Sequence, residues 1–260
     1  NPGGEPRNEE ARRQLIFFCN SLHNRDLRRP PPVTAMRSLT SFTPYFAEDV
    51  TYALEELHGE LNDNVDLLHL LQSIFPDEYA NFTERMGVPG LSASREESSK
   101  FDEFELGRWA SDRGQLLSRT VRGVMKYADA LRVLARLEGV PEEEVEAVVG
   151  QKFEYVVTCQ IYGRLQLSSK PGDRWKAQCI DALRRQFAAN LKIAYVEGPV
   201  KQPGELDAYY SVLLGMDVLS GDDRVLSKVR LPGDPIIGEG KPENQNHAII
   251  FCHGQYLQTL

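Results

Sequence analysis

Residues 152–163 read KFEYVVTCQIYG, and this run of β-branched and aromatic residues predicts a buried strand. A helical pattern, DRWKAQCIDALRRQFAAN, follows at 173–190, and a second β-rich run, LKIAYVEG, follows at 191–198. A strand, a helix and a strand in this order are typical of a β-α-β unit. The segment therefore predicts an α/β domain.

Four more β-rich runs extend the predicted sheet. MRSLTSFTPYFAEDV at 36–50 predicts a first strand that leads into a loop, and three runs follow the β-α-β unit. These three are AYYSVLLG at 208–215, LSKVRLPG at 226–233 and HAIIFCHGQYLQTL at 247–260. Together the runs predict a mixed sheet.

Helical patterns dominate the first half of the chain. Residues 9–29 predict a short amphipathic helix before the prolines at 30–32, and Pro76 is expected to begin a helix. The longest periodic segment, 104–139, predicts one long helix that bends at Gly114 or Gly123.

We expect a single partial domain over residues 1–260 with three parts. A helix and the first strand fill 1–50, a mainly helical insertion fills 51–150, and a β-rich portion with a binding loop fills 151–260. The first residue is not methionine and the last apolar run carries no turn signal, so we expect a segment of a longer protein.

Composition excludes several classes of protein. The net charge of -8 makes the surface a poor match for nucleic acid, and 41% hydrophobic residues argue against disorder. No apolar run reaches 18 residues, so this stretch predicts no membrane span. The scattered cysteines show no zinc spacing and are expected to be reduced, as in the cytosol.

A basic stripe is predicted on the long helix. At about 100° per residue, its members fall within roughly one-sixth of the circumference. They are Arg108, Gln115, Arg119, Arg122 and Lys126. Guanidinium groups suit phosphate or carboxylate oxygens. The alternative is a solvated face that acidic neighbours neutralise.

Glu48 follows the first predicted strand, and ligands of open α/β sheets gather beyond the carboxyl ends of strands. It is therefore a candidate binding residue. The alternative is a helix N-terminal charge beside Asp49.

The segment GEGKPENQNHAIIF, residues 238–251, is the strongest candidate for a ligand site. Lys241 supplies a point charge for a diphosphate, and Asn244, Gln245 and Asn246 supply donors and acceptors for sugar hydroxyls or a uracil edge. The alternative, a structured turn, accounts for the glycines and one asparagine. It leaves the other polar groups beside an apolar run without a role.

Other chemistry finds little support in the sequence. Cys159 at a strand end could be a nucleophile, but packing is the favoured role. No histidine has a carboxylate or cysteine at ligand spacing, so no metal site is predicted. The glycine-rich motifs of P-loop and Rossmann proteins are absent.

Several segments together resemble the 1,3-β-glucan synthase family of plant callose synthases and fungal cell-wall glucan synthases. The resemblance covers nearly the whole chain, and the segment 238–251 is more similar to the callose synthases. The segments are RNEEARRQLIFFCNSLH, SFTPYFAEDV, LLQSIFPDEYANFTERM, RWASDRGQLLSRTVRGVMKY, KFEYVVTCQIYG and GEGKPENQNHAIIF.

The resemblance implies a large multi-pass membrane enzyme whose cytosolic catalytic domain has a glycosyltransferase-A-like fold. Such enzymes transfer glucose from UDP-glucose to a growing β-1,3-glucan with inversion. This chain would be the first part of that domain, at the cytosolic face of the plasma membrane. A Rho-type GTPase regulates the fungal relatives. The resemblance leaves open whether Mg²⁺ or another divalent cation is required, and the ligands of such a cation would lie beyond Leu260.

The resemblance also assigns candidate roles to residues. Glu48 and Asn244 would lie in the donor pocket, and Lys241 would meet the diphosphate and glucose. Inverting transfer also needs positive charge to stabilise the departing UDP, and Lys241, with help from Arg119 and Arg122 of the basic stripe, is the candidate for this role. The catalytic base is not identified.

Glu197 stands where family members commonly have aspartate, and it is a further candidate for substrate binding. The rival hypothesis is a non-catalytic binding or scaffold segment of a related membrane complex.

Overall fold

The structure is a computed structural model of the chain. It describes residues 12–13, 15–17, 20, 31–45, 50–59, 61, 65–201, 206–217 and 220–260. The chain divides into two compact units, one of Asn1–Pro30 with Thr51–Gln115 and one of Pro31–Val50 with Leu116–Leu260. Within the predicted first helix, residues 12–13, 15–17 and 20 are helical, and Glu48 lies outside the described residues.

The helical unit packs around its own core. Its described helices are α1 (Leu54–Leu57), α2 (Leu67–Ile74), α3 (Pro76–Arg85), α4 (Arg95–Ser98) and α5 (Glu103–Gly114). Pro76 occupies the first turn of α3 as predicted, where its missing N–H costs no hydrogen bond. Buried Tyr79, Phe82, Leu106 and Trp109 form the centre of the core.

The sheet unit contains the β-strands and the remaining helices. Its strands are β1 (Leu39–Pro44), β2 (Phe153–Thr158), β3 (Leu191–Val200), β4 (Ala208–Met216), β5 (Asp223–Leu231) and β6 (Tyr256–Thr259). Its helices are α6 (Leu116–Leu137), α7 (Glu142–Lys152), α8 (Tyr162–Leu167), α9 (Pro171–Gln186) and α10 (Lys241–Asn246), with 3₁₀ turns at Val33–Ala35 and Ile249–Phe251. Thus the predicted insertion 51–150 is shared between the two units.

The sheet is six-stranded and mixed, in the order β5-β4-β3-β2-β1-β6. The pairs β6–β1, β1–β2 and β2–β3 are parallel, whereas the pairs β3–β4 and β4–β5 are antiparallel. Strands β2 and β3 are connected through α8 and α9, so the predicted β-α-β unit is confirmed. The α/β class with a mixed sheet is confirmed as well.

Different groups of side chains pack on the two faces of the sheet. One face contributes Tyr155, Val157 and Ile193 to a large core with α6 and α9. The other face has a smaller core, in which the residues after α10 take part. Its members are Phe42, Val156, Ala194, Leu213, Ala248 and Phe251. The segment 238–251 therefore packs on the face opposite to α6 and α9.

The prediction of one long helix was wrong, because the helix breaks. Gln115 has an extended backbone with φ -95° and ψ 127°, and it separates α5 from α6. Gly114 ends α5, and glycine is a poor helix former. Angular offsets do not carry across an extended residue, so the predicted basic stripe is not continuous.

The prediction that HAIIF begins a strand was also wrong. Ala248 and Phe251 are buried, whereas Ile249 and Ile250 are exposed. This three-residue spacing is helical, and the backbone forms a 3₁₀ turn. The strand predicted at 247–260 is confined to β6 near the end of the chain.

Candidate functional site

The short helix α10 is attached to the carboxyl ends of two parallel strands by Asn244. Its Nδ2 donates to the carbonyl of Tyr45, directly after β1, at 2.9 Å. Its Oδ1 accepts from the backbone N–H of Gln160, beyond β2, at 3.0 Å. These two hydrogen bonds join both strands to α10 through an amide that is only 3% exposed. The predicted binding segment thus lies at the carboxyl edge of the sheet.

A buried carboxylate organises the loop before α10. Glu243 Oε2 accepts from the backbone N–H groups of Ile237, Gly238 and Glu239 at 2.6, 2.8 and 3.1 Å. Its Oε1 accepts from Gln160 Nε2 at 2.9 Å. The bond from Gln160 and those from the backbone lower the pKa of Glu243, because they stabilise the ionised form. We call residues 237–240 the glycine loop.

Glycine is required twice in the glycine loop. Gly238 has a φ of 93° and Gly240 has a φ of 69°, a region that other residues rarely adopt. These angles curl the chain so that successive N–H groups converge on one carboxylate. Concave arrangements of this kind are favourable environments for a negative charge.

Lys241 and Asn246 are the exposed polar residues of α10. Lys241 follows the glycine loop directly, and its ammonium group forms no hydrogen bond or ion pair within the described part of the chain. A cation at this place is available to an anionic ligand. The diphosphate contact expected for Lys241 stays a prediction.

Buried polar atoms surround α10 on the side of the sheet. His247 Nδ1 lies 2.9 Å from Ser211 Oγ, and burial lowers the pKa of His247 to about 4. The following atoms are buried and have no hydrogen-bond partner among the described residues: Thr158 Oγ1, Gln160 Oε1, Gln245 Nε2 and His247 Nε2. The edge is therefore rich in uncharged donors and acceptors.

The arginine candidates lie on two different helices, α5 and α6. Arg122 donates to Gln186 at 2.6 Å and lies 5.9 Å from the ring of Phe187, on the face of α6 and α9. Arg119 is exposed on α6. Arg108 belongs to the helical unit, where it pairs with Glu105. The basic stripe is thus divided between different environments.

Glu197 forms an ion pair with Lys228 across the antiparallel part of the sheet, with 2.7 Å between Oε1 and Nζ. Both side chains are exposed by about 40%. Pairs of this kind contribute about 0 to 1 kcal/mol, so the contact leaves Glu197 free to exchange partners.

Among the described residues, neither a thiol site nor a metal site is found at this edge. Cys159 is fully buried in the core under α6 and α9, which is the packing role. Among the described residues, no group of three or more His, Cys, Asp or Glu side chains could hold a metal ion. No step is therefore assigned to a divalent cation in this chain.

Sequence reasoning missed Glu243, Gln160 and His247. One signal was present for Glu243: it is the third residue of a helix, from which a glutamate side chain reaches back to preceding N–H groups. Gln160 and His247 gain their roles only from strand pairing, which short patterns do not reveal.

Comparison with known proteins gives one consistent family. The family model described as "1,3-beta-glucan synthase component" matches residues 5–106 and 93–260. Callose synthase 9 of Arabidopsis thaliana is 43% identical over 271 residues, which cover 98% of this chain and 14% of the relative. Callose synthase 10 and callose synthase 3 of the same plant are each 40% identical to this chain. The aligned regions cover 98% of this chain and 14% and 15% of the two relatives, respectively.

The chain spans about one-seventh of the length of these curated relatives. Within its described residues, no helix combines the length and the apolar character that a membrane crossing needs. The family match extends over both units and includes the segment at the carboxyl edge of the sheet. The chain belongs to the 1,3-β-glucan synthase family and is similar within it to the callose synthases.

Proposed function

We propose that this chain is the first part of a cytosolic catalytic domain that transfers glucose from UDP-glucose to a growing 1,3-β-glucan with inversion. The domain would have a glycosyltransferase-A-like fold and belong to a multi-pass enzyme of the plasma membrane. Family membership and the parallel strands β6-β1-β2-β3 support this proposal.

One observation carries the proposal. The family-matching segment with Lys241 is held at the carboxyl ends of β1 and β2 through Asn244. Ligands of open α/β sheets bind in the crevice beyond the carboxyl ends of strands. An exposed ammonium group at that edge suits the diphosphate of a nucleotide sugar.

Transfer requires positive charge where the departing UDP develops negative charge. Lys241 supplies that charge in our proposal, and Gln245 and Asn246 offer amides to sugar hydroxyls or the base. Asn244 positions α10, because both ends of its amide already bind the backbone.

The other candidates remain proposals for substrate binding. Arg119 is exposed and free to turn toward a ligand, whereas Arg122 and Glu197 would exchange their present partners, Gln186 and Lys228. Glu48 follows β1 in sequence. The base that deprotonates the acceptor hydroxyl is not assigned, and the ligands of any Mg²⁺ would lie beyond Leu260. A Rho-type GTPase is the proposed regulatory partner.

The test is calorimetric binding of UDP-glucose to the full-length protein. Lys241→Ala is expected to weaken binding by about tenfold or more, which corresponds to about 1.4 kcal/mol. Lys170→Ala is the control, because Lys170 is likewise an exposed lysine at the start of a helix, α9. Equal binding by Lys241→Ala and wild type would move the site elsewhere. A folded wild type without affinity would favour the scaffold hypothesis.

A further inference from the structure

Glu243 is the most fully engaged side chain at the candidate site. It is 6% exposed, and its carboxylate accepts from the N–H groups of the glycine loop and from Gln160. An ionised carboxylate only accepts hydrogen bonds, and bonds to a charged group are about twice as strong as neutral ones. Because the carboxylate is buried and accepts four hydrogen bonds from the protein, its role is to hold the loop rather than to contact substrate.

The contacts of Glu243 determine where Lys241 lies. The glycine loop ends at Gly240, and Lys241 is the next residue, only two positions before Glu243. Gly238 and Gly240 have positive φ and a wide choice of conformations, so the loop needs an external constraint to keep one path. Glu243 provides this constraint from within α10, and Gln160 connects it to the end of β2.

We infer that Glu243 is a positioning residue, which holds the glycine loop closed against β2 and thereby presents the ammonium group of Lys241 at the carboxyl edge. This inference rests on the proposed function, since it assigns the donor contact to Lys241. Glu243 acts through Lys241, and the effects of changing the two residues are therefore not independent.

The experiment measures initial rates of glucan synthesis from UDP-glucose in membranes that contain the full-length protein. Glu243→Ala is expected to raise KM for UDP-glucose by about tenfold and to lower kcat as well, because both the bound diphosphate and the departing UDP lose the cation. Glu243→Gln should recover most of the affinity. Its carbonyl can accept from the glycine loop. Its NH₂ faces Gln160, whose amide must turn over so that Oε1, which has no partner among the described residues, accepts in place of the donating Nε2.

Glu239→Ala is the matched control. Glu239 lies in the same loop and is exposed, and it contributes its backbone N–H rather than its carboxylate to the contacts. Its KM should equal that of the wild type. Hydrogen exchange gives an independent readout: the peptide that covers 237–240 should exchange faster in Glu243→Ala and at nearly the wild-type rate in Glu243→Gln.

The double variant Lys241→Ala/Glu243→Ala separates positioning from a general structural role. Its KM should be no higher than that of Lys241→Ala alone. Multiplied effects would overturn the inference, because Glu243 would then act independently of Lys241. A wild-type KM in Glu243→Ala, beside a raised KM in Lys241→Ala, would also overturn it and leave the proposed function intact. A wild-type KM in Lys241→Ala would instead contradict the proposed donor site.

Gln160→Ala serves if Glu243→Ala does not accumulate in membranes. It removes the contact to Oε1 and leaves the three backbone contacts to Oε2. We expect a rise in KM of about two- to fivefold, with no further effect in the Lys241→Ala background. An unchanged KM in Gln160→Ala would contradict the inference.

Discussion

Ser211 and His247 are joined by two hydrogen bonds between β4 and the end of α10. Ser211 Oγ donates to the carbonyl of His247 at 2.7 Å, and it lies 2.9 Å from His247 Nδ1. A hydroxyl has one proton, which the carbonyl already takes, so Nδ1 must be the donor of the second bond. The neutral ring therefore carries its proton on Nδ1 and keeps a lone pair on buried Nε2.

His247 is expected to make the protein less stable in mild acid. Burial lowers its pKa from 6.5 to about 4, so the unfolded chain binds a proton that the folded chain rejects between these values. His247 costs little stability above pH 6.5, and the free energy of unfolding falls by up to about 3 kcal/mol as the pH falls to about 4. Denaturant unfolding at pH 7 and pH 5 measures this loss.

His247→Asn is the comparison, because asparagine retains a donor to Ser211 and does not titrate. The variant should lose less stability than the wild type between pH 7 and pH 5. Glu154 and Glu243 have lowered pKa values, so their contributions are lost at more acidic pH and in both proteins alike. Equal losses in the two proteins would contradict the role of His247.

Asn244→Asp is expected to destabilise the fold by about 2 kcal/mol or more, because it places a carboxylate oxygen against the carbonyl of Tyr45. Asn246→Asp makes the same chemical change on the exposed side of α10 and should stay within about 0.5 kcal/mol of the wild type. Urea unfolding compares them. If Asn244→Asp kept full stability, Asn244 would have no structural role.

Gly254→Ala is expected to destabilise by about 1 to 3 kcal/mol through overpacking. An added Cβ would lie 2.4 Å from the backbone N of Thr40 and 2.6 Å from the carbonyl of Tyr256, and neither atom can turn aside. Gly123→Ala in α6 meets no atom within 4 Å and should stabilise by up to about 1 kcal/mol. Thermal unfolding should move the two midpoints in opposite directions; a shift of both in one direction would refute this account.

Arg184→Lys is expected to cost about 3 kcal/mol or more. Arg184 is fully buried, and its guanidinium group binds Asp181, Asp223 and the carbonyl of Gly215 together. A lysine ammonium group cannot donate hydrogen bonds toward all three of these acceptors, so a charged group in this buried cluster is left without a partner. Arg185→Lys is the control, because Arg185 binds the same carboxylates at 48% exposure and should cost less than about 1 kcal/mol. Similar losses in the two variants would be the contrary result.

Strands β2 and β3 could be predicted because continuous apolar runs lie between clear breaks, and a helical pattern separates them. The run HAIIF was mistaken for a strand, since a short apolar run has no period of its own and its fold depends on which residues meet the sheet. A bend at Gly114 was predicted, beside the break, but the full interruption at Gln115 was not, because periodicity continues through it. Sequence thus predicted the class of the fold better than its local boundaries.

At the candidate site, Lys241 could be singled out from its unusual surroundings; it is exposed, and its role in binding stays a prediction. The part of Asn244 in holding α10 could not, because its partners Tyr45 and Gln160 lie 199 and 84 residues away. The role of Glu243 depends on the curled conformation of the glycine loop, which sequence patterns do not predict. The sequence identifies the polar residues, but only the tertiary structure identifies their hydrogen-bond partners.

The position of β1 has a consequence for biosynthesis. Leu39 pairs with Phe153 on one side and with Tyr256 on the other. Both partner strands of β1 are therefore synthesised much later than β1 itself. At about 5 to 20 residues per second, the ribosome needs on the order of 10 to 40 s to reach β6 after β1. The helical unit has its own core and can form in that interval. We therefore expect a chain stalled before β6 to leave one edge of β1 open to chaperones.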